Sequence, residues 1–245
     1  MRSLLHLSWL EIKVFVREPM GVVATVLVPV VLFVVMARMF SGEDTSAGAI
    51  PAILTADLPV LVAMLIAIST VLSLMTVVAI YREGGILKRL RATPLRPVTI
   101  LTAHVLVKLF FTAITLALMF LAGRRYIVDD GPILSFGVAL IFATTALLSI
   151  GFIVASVIPT ARFAQPVGAL LLYPLFGISG LFGPIESLPA PAYLIARASP
   201  FTYAVSLLRG VWRGDGWMAH LDDVAILTVT FVLLTVISGK VFRWE

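Results

Sequence analysis

The sequence contains few residues whose types and spacing suit catalysis or metal binding. The three histidines, His6, His104 and His220, lie far apart and form no pair with the spacing of metal ligands. No G-x-S-x-G nucleophile motif occurs. The one Gly-Lys pair, at 239–240, is followed by Val241, so there is no G-x-x-x-x-G-K-[ST] nucleotide-binding loop. We therefore expect no catalytic residue, no metal and no cofactor in this chain.

Titratable side chains are scarce in the apolar segments. His104 and Lys108 lie one helical turn apart, and no Asp or Glu falls in the core of any long apolar run. Transporters coupled to protons or sodium usually place carboxylates or histidines at such depth. Ser69, Ser73 and Thr76 share one helical face, where we expect them to hydrogen-bond between helices. The energy for uphill transport is expected to come from elsewhere.

The composition excludes an ordinary soluble domain. Of 245 residues, 60% are hydrophobic and 13% are charged, whereas soluble domains contain about 45–50% apolar and about 25% charged residues. The mean hydropathy is +1.10. The absence of cysteine excludes disulfides, thiol catalysis and Cys-ligated metals. These values indicate a membrane protein.

Six apolar segments are long enough, or nearly so, to cross a bilayer as helices, which need about 20 residues. Runs of this kind without two-residue alternation exclude a β-barrel. The sequence therefore predicts an all-α membrane protein, a single domain over residues 1–245 with six transmembrane helices. The predicted spans are 20–40, 58–81, 100–123, 133–158, 164–182 and 224–241.

The distribution of charge predicts the orientation of the spans. With the N-terminus inside, the inner segments hold eleven basic residues (Lys and Arg) and four acidic ones. The outer segments hold six basic and nine acidic residues. Cytoplasmic loops carry the excess of Lys and Arg. Both termini are therefore expected in the cytoplasm. The net charge of +5 then divides into +7 inside, −3 outside and +1 for Lys108.

The first 18 residues predict an amphipathic helix over residues 4–18. Leu5, Trp9, Ile12 and Val16 share one face by helical spacing. A basic helix with an apolar face is typical of a helix that lies in the membrane interface. The alternative, a cytoplasmic extension of the first span, is opposed by Pro19, which disrupts a helix interior.

A basic loop follows the second span, over residues 82–97, with five basic side chains. Gly84 and Gly85 end the preceding helix, and Pro94 disfavours helix at Thr93, so 86–92 can form about two turns. Such a loop can bind anionic headgroups. A short helix with defined ends favours instead docking into a groove of a partner protein.

Two further features lie near the fifth span. The stretch 184–220 holds apolar pieces too short to cross a membrane, and it predicts an outer re-entrant pair of short helices; an amphipathic loop on the membrane surface is the alternative. Small residues and a proline also suggest a helix interface or a substrate path there. These residues are Pro174, Gly177, Gly180 and Gly183.

This organisation resembles the permease subunits of ABC type-2 exporters. The residues that carry the resemblance are Arg82-Glu83-x-Gly85-x-Leu87-Lys88-Arg89-Leu90-Arg91-Ala92-Thr93-Pro94-Leu95, then Gly183-Pro-Ile-Glu186-x-Leu188-Pro189, Ser199-Pro200-Phe-Thr-Tyr203 and Leu208-Arg209-Gly210. The order of the interfacial helix, the six spans, the basic loop and the broken outer segment also matches. The short outer loop 41–57 resembles the compact drug- or lipid-exporting members.

The resemblance implies a partner and a mechanism. The 86–92 helix would be a coupling helix in a cleft of a separate ATP-binding subunit, with ATP and Mg held there, and a complete transporter would have two such subunits and two permeases, identical or homologous. The residues it assigns to coupling are Arg82, Glu83, Gly85, Leu87, Lys88, Leu90, Arg91, Thr93 and Pro94. It implies export of a drug-like, lipid or other amphipathic substrate across the cell membrane, a bacterial inner or plasma membrane, with lipids but no nucleic acid as further partners.

Two other function classes remain open from the residues. A stand-alone secondary transporter or channel would be favoured by an intramembrane carboxylate or an inverted repeat. A membrane-embedded enzyme would need paired acids or clustered histidines at one depth. The sequence shows neither pattern.

Overall fold

A computed structural model describes residues 2–17, 22–40, 57–84, 97–123, 132–158 and 160–241. Within these ranges the chain forms nine α-helices and no strand. The helices are α1 Arg2–Arg17, α2 Val28–Phe40, α3 Leu58–Glu83, α4 Pro97–Gly123, α5 Ile133–Val157, α6 Ala161–Gly177, α7 Ala190–Ala198, α8 Pro200–Arg213 and α9 Leu221–Val241. The all-α prediction is confirmed for this part of the chain.

The helix α3 forms the centre of the bundle. It is apolar on all sides, as expected for a helix surrounded by others. Of its most apolar stretch 72% is buried, whereas the value for the last apolar helix, Trp217–Ser238, is 11%. Helices α2, α4, α5, α6 and α8 all contact it. Gly168 of α6 permits a close approach, because a Cβ there would lie 2.7 Å from Leu72 Cδ2 and Met75 Cε.

Four helices in the described ranges are long and apolar enough to cross a membrane: Leu58–Glu83, Thr102–Ala122, Ile133–Val157 and Trp217–Ser238. These correspond to the second, third, fourth and sixth predicted spans. The helical parts of the first and fifth are shorter, with an apolar helical stretch of Thr25–Arg38 and an α6 of 17 residues.

The first predicted span is interrupted by a π-helical turn at Val23–Leu27, which precedes α2. Pro29 lacks an N–H group, and its ring crowds the carbonyl four residues earlier, which belongs to Thr25. A widened turn at this point accommodates the proline. The Thr115 hydroxyl of α4 donates to the Phe111 carbonyl of its own helix at 2.8 Å and lies 3.4 Å from the Thr25 carbonyl oxygen.

The fifth predicted span ends earlier than expected, at Gly177 rather than at residue 182. The Ser179 hydroxyl donates to the Phe176 carbonyl, and Gly180 has a φ of 87°, a left-handed conformation that stops a helix. Gly180 and Gly183 therefore lie beyond the helix that carries Pro174. The helix interface or substrate path suggested for these residues stays a prediction.

The stretch 184–220 contains two short helices, and their re-entrant placement on the outer side stays a prediction. It begins with a 3-10 turn at Ile185–Ser187, continues as α7 and α8, and ends in a second 3-10 turn at Trp217–His220. Helix α8 begins at a Ser199 cap and buries Phe201, Leu207 and Leu208 completely. It therefore belongs to the packed core.

A buried ion cluster joins α8 to the start of α3, at what we call the Asp57 end of the bundle. The Asp57 side chain is 2% exposed; its carboxylate lies 2.8 Å from Arg209 Nε and 3.1 Å from Arg213 Nη2. Arg209 also donates to the Gly180 and Leu181 carbonyls, at 3.0 and 3.2 Å. One arginine thus connects α3, α8 and the turn after α6.

We predict that Asp57→Asn lowers the free energy of unfolding by about 3 kcal/mol. Removing one partner of a buried ion pair costs about 3–5 kcal/mol, and the lower value applies because both arginines keep contact with solvent. Unfolding by sodium dodecyl sulfate in mixed micelles measures the change. The exposed Glu186→Gln is the control, and equal stability of the two variants would contradict the role of Asp57.

Candidate functional site

The candidate site lies at the opposite end of the bundle, the Glu83 end, where α3 finishes. Arg82 Nη1 donates to the carbonyls of Ala155, Ser156 and Ile158, at 2.8, 2.7 and 3.1 Å. The last carbonyls of a helix have no partner inside it. Arg82 therefore supplies the C-terminal cap that α5 lacks in its own sequence.

The neighbouring Glu83 caps the next helix. Its Oε2 accepts a hydrogen bond of 2.7 Å from the Ala161 N–H, the first residue of α6. A carboxylate at this position satisfies a free N–H and complements the positive end of the helix dipole. Two adjacent residues of α3 thus hold both sides of the α5–α6 connection. We call this pair the Arg82–Glu83 clamp.

Of the residues assigned to coupling, Arg82 and Glu83 are the two that the structure describes. Gly85, Leu87, Lys88, Leu90, Arg91, Thr93 and Pro94 lie outside the described residues. The clamp residues contact their own chain, a role that the sequence analysis missed. A charged pair at the end of an apolar helix signals a cap, but its partners lie more than 70 positions away in sequence.

The N-terminal helix α1 packs against α4 at the same end. Phe15 stacks near Phe111, with ring centroids 4.3 Å apart, and the Lys108 ammonium lies 4.3 Å from the centre of the Phe15 ring. Glu11 Oε1 lies 3.2 Å from His104 Nε2, which is also 2.6 Å from the Tyr81 hydroxyl. His104 and Lys108 therefore have an acidic neighbour that the sequence analysis did not find.

The apolar face predicted to lie in the membrane interface differs from the face of α1 that packs against α4, and its contact with the membrane stays a prediction. Ile12 is half-buried against the Phe15 cluster, whereas Trp9 and Val16 are 57% and 59% exposed. The Leu5 side chain lies outside the description. Packing uses the adjacent face with Glu11 and Phe15, which the spacing argument did not separate from the exposed apolar face.

Burial alters the proton affinity of Glu11. Its side chain is 23% exposed, and desolvation raises its pKa above the usual range, because burial penalises the charged form. The Lys108 ammonium opposes this shift by favouring the carboxylate. The acid and the lysine therefore interact electrostatically at the junction of α1 and α4.

These residues border a cavity of about 560 Å³ in the half of the bundle nearest the Glu83 end. Its volume lies within the range of small-molecule sites, about 300–1,000 Å³. Ser69, Ser73 and Thr76 line it from α3. Ser69 and Thr76 donate to carbonyls of their own helix, those of Ile66 and Leu72. Within the part of the chain that the structure describes, their hydroxyl hydrogens therefore bond inside α3 rather than between helices.

Comparisons with known proteins identify the family of the chain. The family model described as ABC-2 type transporter matches residues 2–212. The chain is 33% identical over 172 residues to the inner membrane transport permease YhhJ of Escherichia coli (strain K12), a match that covers 66% of this chain and 42% of that protein. The protein of the same name in Shigella flexneri matches to the same extent. The chain thus spans less than half the length of these relatives.

We predict that Arg82→Met loosens the α5–α6 connection without unfolding the bundle. A hydrogen bond to a charged group contributes about 1.5–3 kcal/mol, so amide exchange over residues 160–165 should accelerate by about 10-fold to 100-fold. Hydrogen–deuterium exchange in nanodiscs measures this rate. The exposed Arg17→Met is the control, and unchanged exchange in Arg82→Met would contradict the clamp.

Proposed function

Because the chain belongs to the ABC-2 type transporter family, we propose that it is the membrane-spanning subunit of an ATP-driven exporter. It is a multi-pass cell-membrane protein. The observation that carries the proposal is the family match over residues 2–212. The Arg82–Glu83 clamp adds a physical connection between the base of the basic loop and the bundle.

The proposed power source is a separate ATP-binding subunit, present twice, which holds ATP and Mg. The basic loop 82–97 is the docking segment, and the 86–92 helix enters a groove on that subunit. The predicted docking helix is short, and we expect it to need a second protein to bury its apolar face. This chain contributes no catalytic group to ATP hydrolysis.

The clamp gives the proposal a mechanical path. A push on the loop acts on the end of α3, and Arg82 and Glu83 transmit it to the end of α5 and the start of α6. Gly168 keeps α6 in close contact with α3, so the two helices move together. Packed elements of this kind shift as rigid bodies.

We also propose that all six predicted segments span the membrane, with both termini in the cytoplasm. The Glu83 end is then cytoplasmic and the Asp57 end faces outside. In this orientation Arg209 and Arg213 are outer cations, which the positive-inside distribution disfavours. Both arginines form ion pairs with Asp57, which neutralise part of their positive charge. Their outer position therefore conflicts less with the positive-inside rule.

A second permease, identical or homologous, is proposed to contact α2 and α6, with the substrate path between the two copies. The outward face of α6 is strongly apolar, with Leu170 78% and Phe163 55% exposed. Pro174 is exposed, and a Cβ at Gly177 would meet nothing within 4 Å. The proposed substrate is drug-like, lipid or otherwise amphipathic.

One observation favours the alternative of a stand-alone secondary transporter. Glu11 and His104 form an acid–base pair 3.2 Å apart at the edge of the cavity. Ion-coupled transporters use such pairs for proton binding. The family match favours the ATP-driven function instead.

The cysteine-free chain allows the six-span topology to be tested directly. We expect Thr45→Cys and Met218→Cys to react with a membrane-impermeant maleimide in intact cells, and Arg17→Cys and Arg162→Cys to react only after permeabilisation. Each pair brackets a short segment. If Arg17→Cys and Thr45→Cys are labelled from the same side of the membrane, the first segment does not cross it. Labelling of Arg162→Cys and Met218→Cys from the same side would show the same for the fifth segment.

Docking of the ATP-binding subunit is tested by affinity purification from native membranes. We predict that the chain copurifies with a P-loop protein and that Leu87→Asp reduces its recovery at least tenfold, because an acid disrupts the apolar face of the docking helix. Met218→Asp, at an 82% exposed position of the opposite end, is the matched control. Unchanged copurification and vanadate-sensitive ATP turnover in Leu87→Asp would contradict docking.

A further inference from the structure

The cavity at the Glu83 end has walls from several elements. Glu11 and Phe15 come from α1, Thr25 from the π turn, and Lys108 from α4. Helix α3 contributes the serines and threonine described above, and α6 contributes Tyr173 with Gln165. A ligand there would therefore contact the surface helix and the bundle at the same time.

The walls of the cavity are amphipathic. Leu72, Val77 and Val107 provide an apolar part. Along α3, the hydroxyl hydrogens of Ser69 and Thr76 are used by their own helix, at 2.9 and 3.0 Å, so their oxygen lone pairs are the groups offered to a ligand. The cavity thus suits a molecule with an apolar chain and a polar head that contains hydrogen-bond donors.

Among the described residues that line this cavity, Lys108 and Glu11 carry opposite charges. The Lys108 side chain is buried, 6% exposed, with its ammonium over the face of Phe15. The Glu11 carboxylate contacts His104 and lies within electrostatic reach of Lys108. A head with one negative charge would gain from Lys108 and be repelled by Glu11. A head with one positive charge would be attracted by Glu11 and repelled by Lys108. Neither a singly negative nor a singly positive head therefore matches both charges of the cavity.

We propose that this cavity binds the head of a zwitterionic amphipath, one that carries an ammonium and a phosphate, sulfonate or carboxylate group. Its anionic group faces Lys108 and its ammonium faces Glu11 and the hydroxyl oxygens of α3. This assigns a headgroup class to the substrate of the proposed transporter and rests on that function for its biological role. Binding itself needs no ATP-binding subunit.

The test uses the full chain purified in a non-ionic detergent, with ligand binding followed by native mass spectrometry. The probes are phosphatidylethanolamine, phosphatidylglycerol, diacylglycerol and an alkyl sulfobetaine. We expect phosphatidylethanolamine to bind at least tenfold more tightly than phosphatidylglycerol or diacylglycerol. If the alkyl sulfobetaine binds as tightly as phosphatidylethanolamine, the zwitterionic head is sufficient and drug-like amphipaths can supply it. If the sulfobetaine does not bind, the ligand is a zwitterionic diacyl lipid. Both results support a zwitterionic site.

The variants separate charge recognition from packing. Lys108→Met and Glu11→Gln should each weaken phosphatidylethanolamine binding about tenfold, whereas diacylglycerol binding stays unchanged. Lys13→Met on the same helix and the exposed Glu186→Gln are matched controls. The proposal is overturned if phosphatidylglycerol binds best, if the probes bind equally, or if both variants lose all ligands alike. Failure of the proposed transport function would appear instead as loss of P-loop protein copurification, which this assay does not use.

Discussion

A helix that is buried on all sides must have its polar ends satisfied by its neighbours, and this constraint organises the bundle. Helix α3 is such a helix, and both of its ends carry charged side chains that bind other elements. At one end Asp57 pairs with two arginines of α8. At the other end the Arg82–Glu83 clamp caps α5 and α6. The ends of α3 therefore fix the positions of three neighbouring helices.

The two ends differ in what they connect. The Asp57 end ties short helices and a turn into a closed cluster in which Arg209 makes contacts in two directions. At the Glu83 end the Arg82–Glu83 clamp, where the basic loop begins, joins α3 to α5 and α6. This end borders the cavity that Glu11 and Lys108 line.

The length and composition of the apolar segments sufficed to predict the all-α class, and the prolines around residues 184–200 indicated short helices there. Pro29 was visible but its effect on Thr25 was not anticipated. Contacts between distant residues were beyond a single sequence: Arg82 meets carbonyls after position 154, and Glu11 meets His104. Helical spacing locates a face but not which neighbour covers it, so the packing of Phe15 against Phe111 was missed.

We propose that this chain converts work by an ATP-binding subunit into movement of an amphipath across the membrane. The most direct measurement is transport of a fluorescent amphipath in sealed vesicles that contain the chain with or without its copurified P-loop partner. We expect transport that requires both proteins and ATP, and that persists when proton and sodium gradients are collapsed. Transport by the chain alone, driven by either ion gradient and indifferent to ATP, would contradict it.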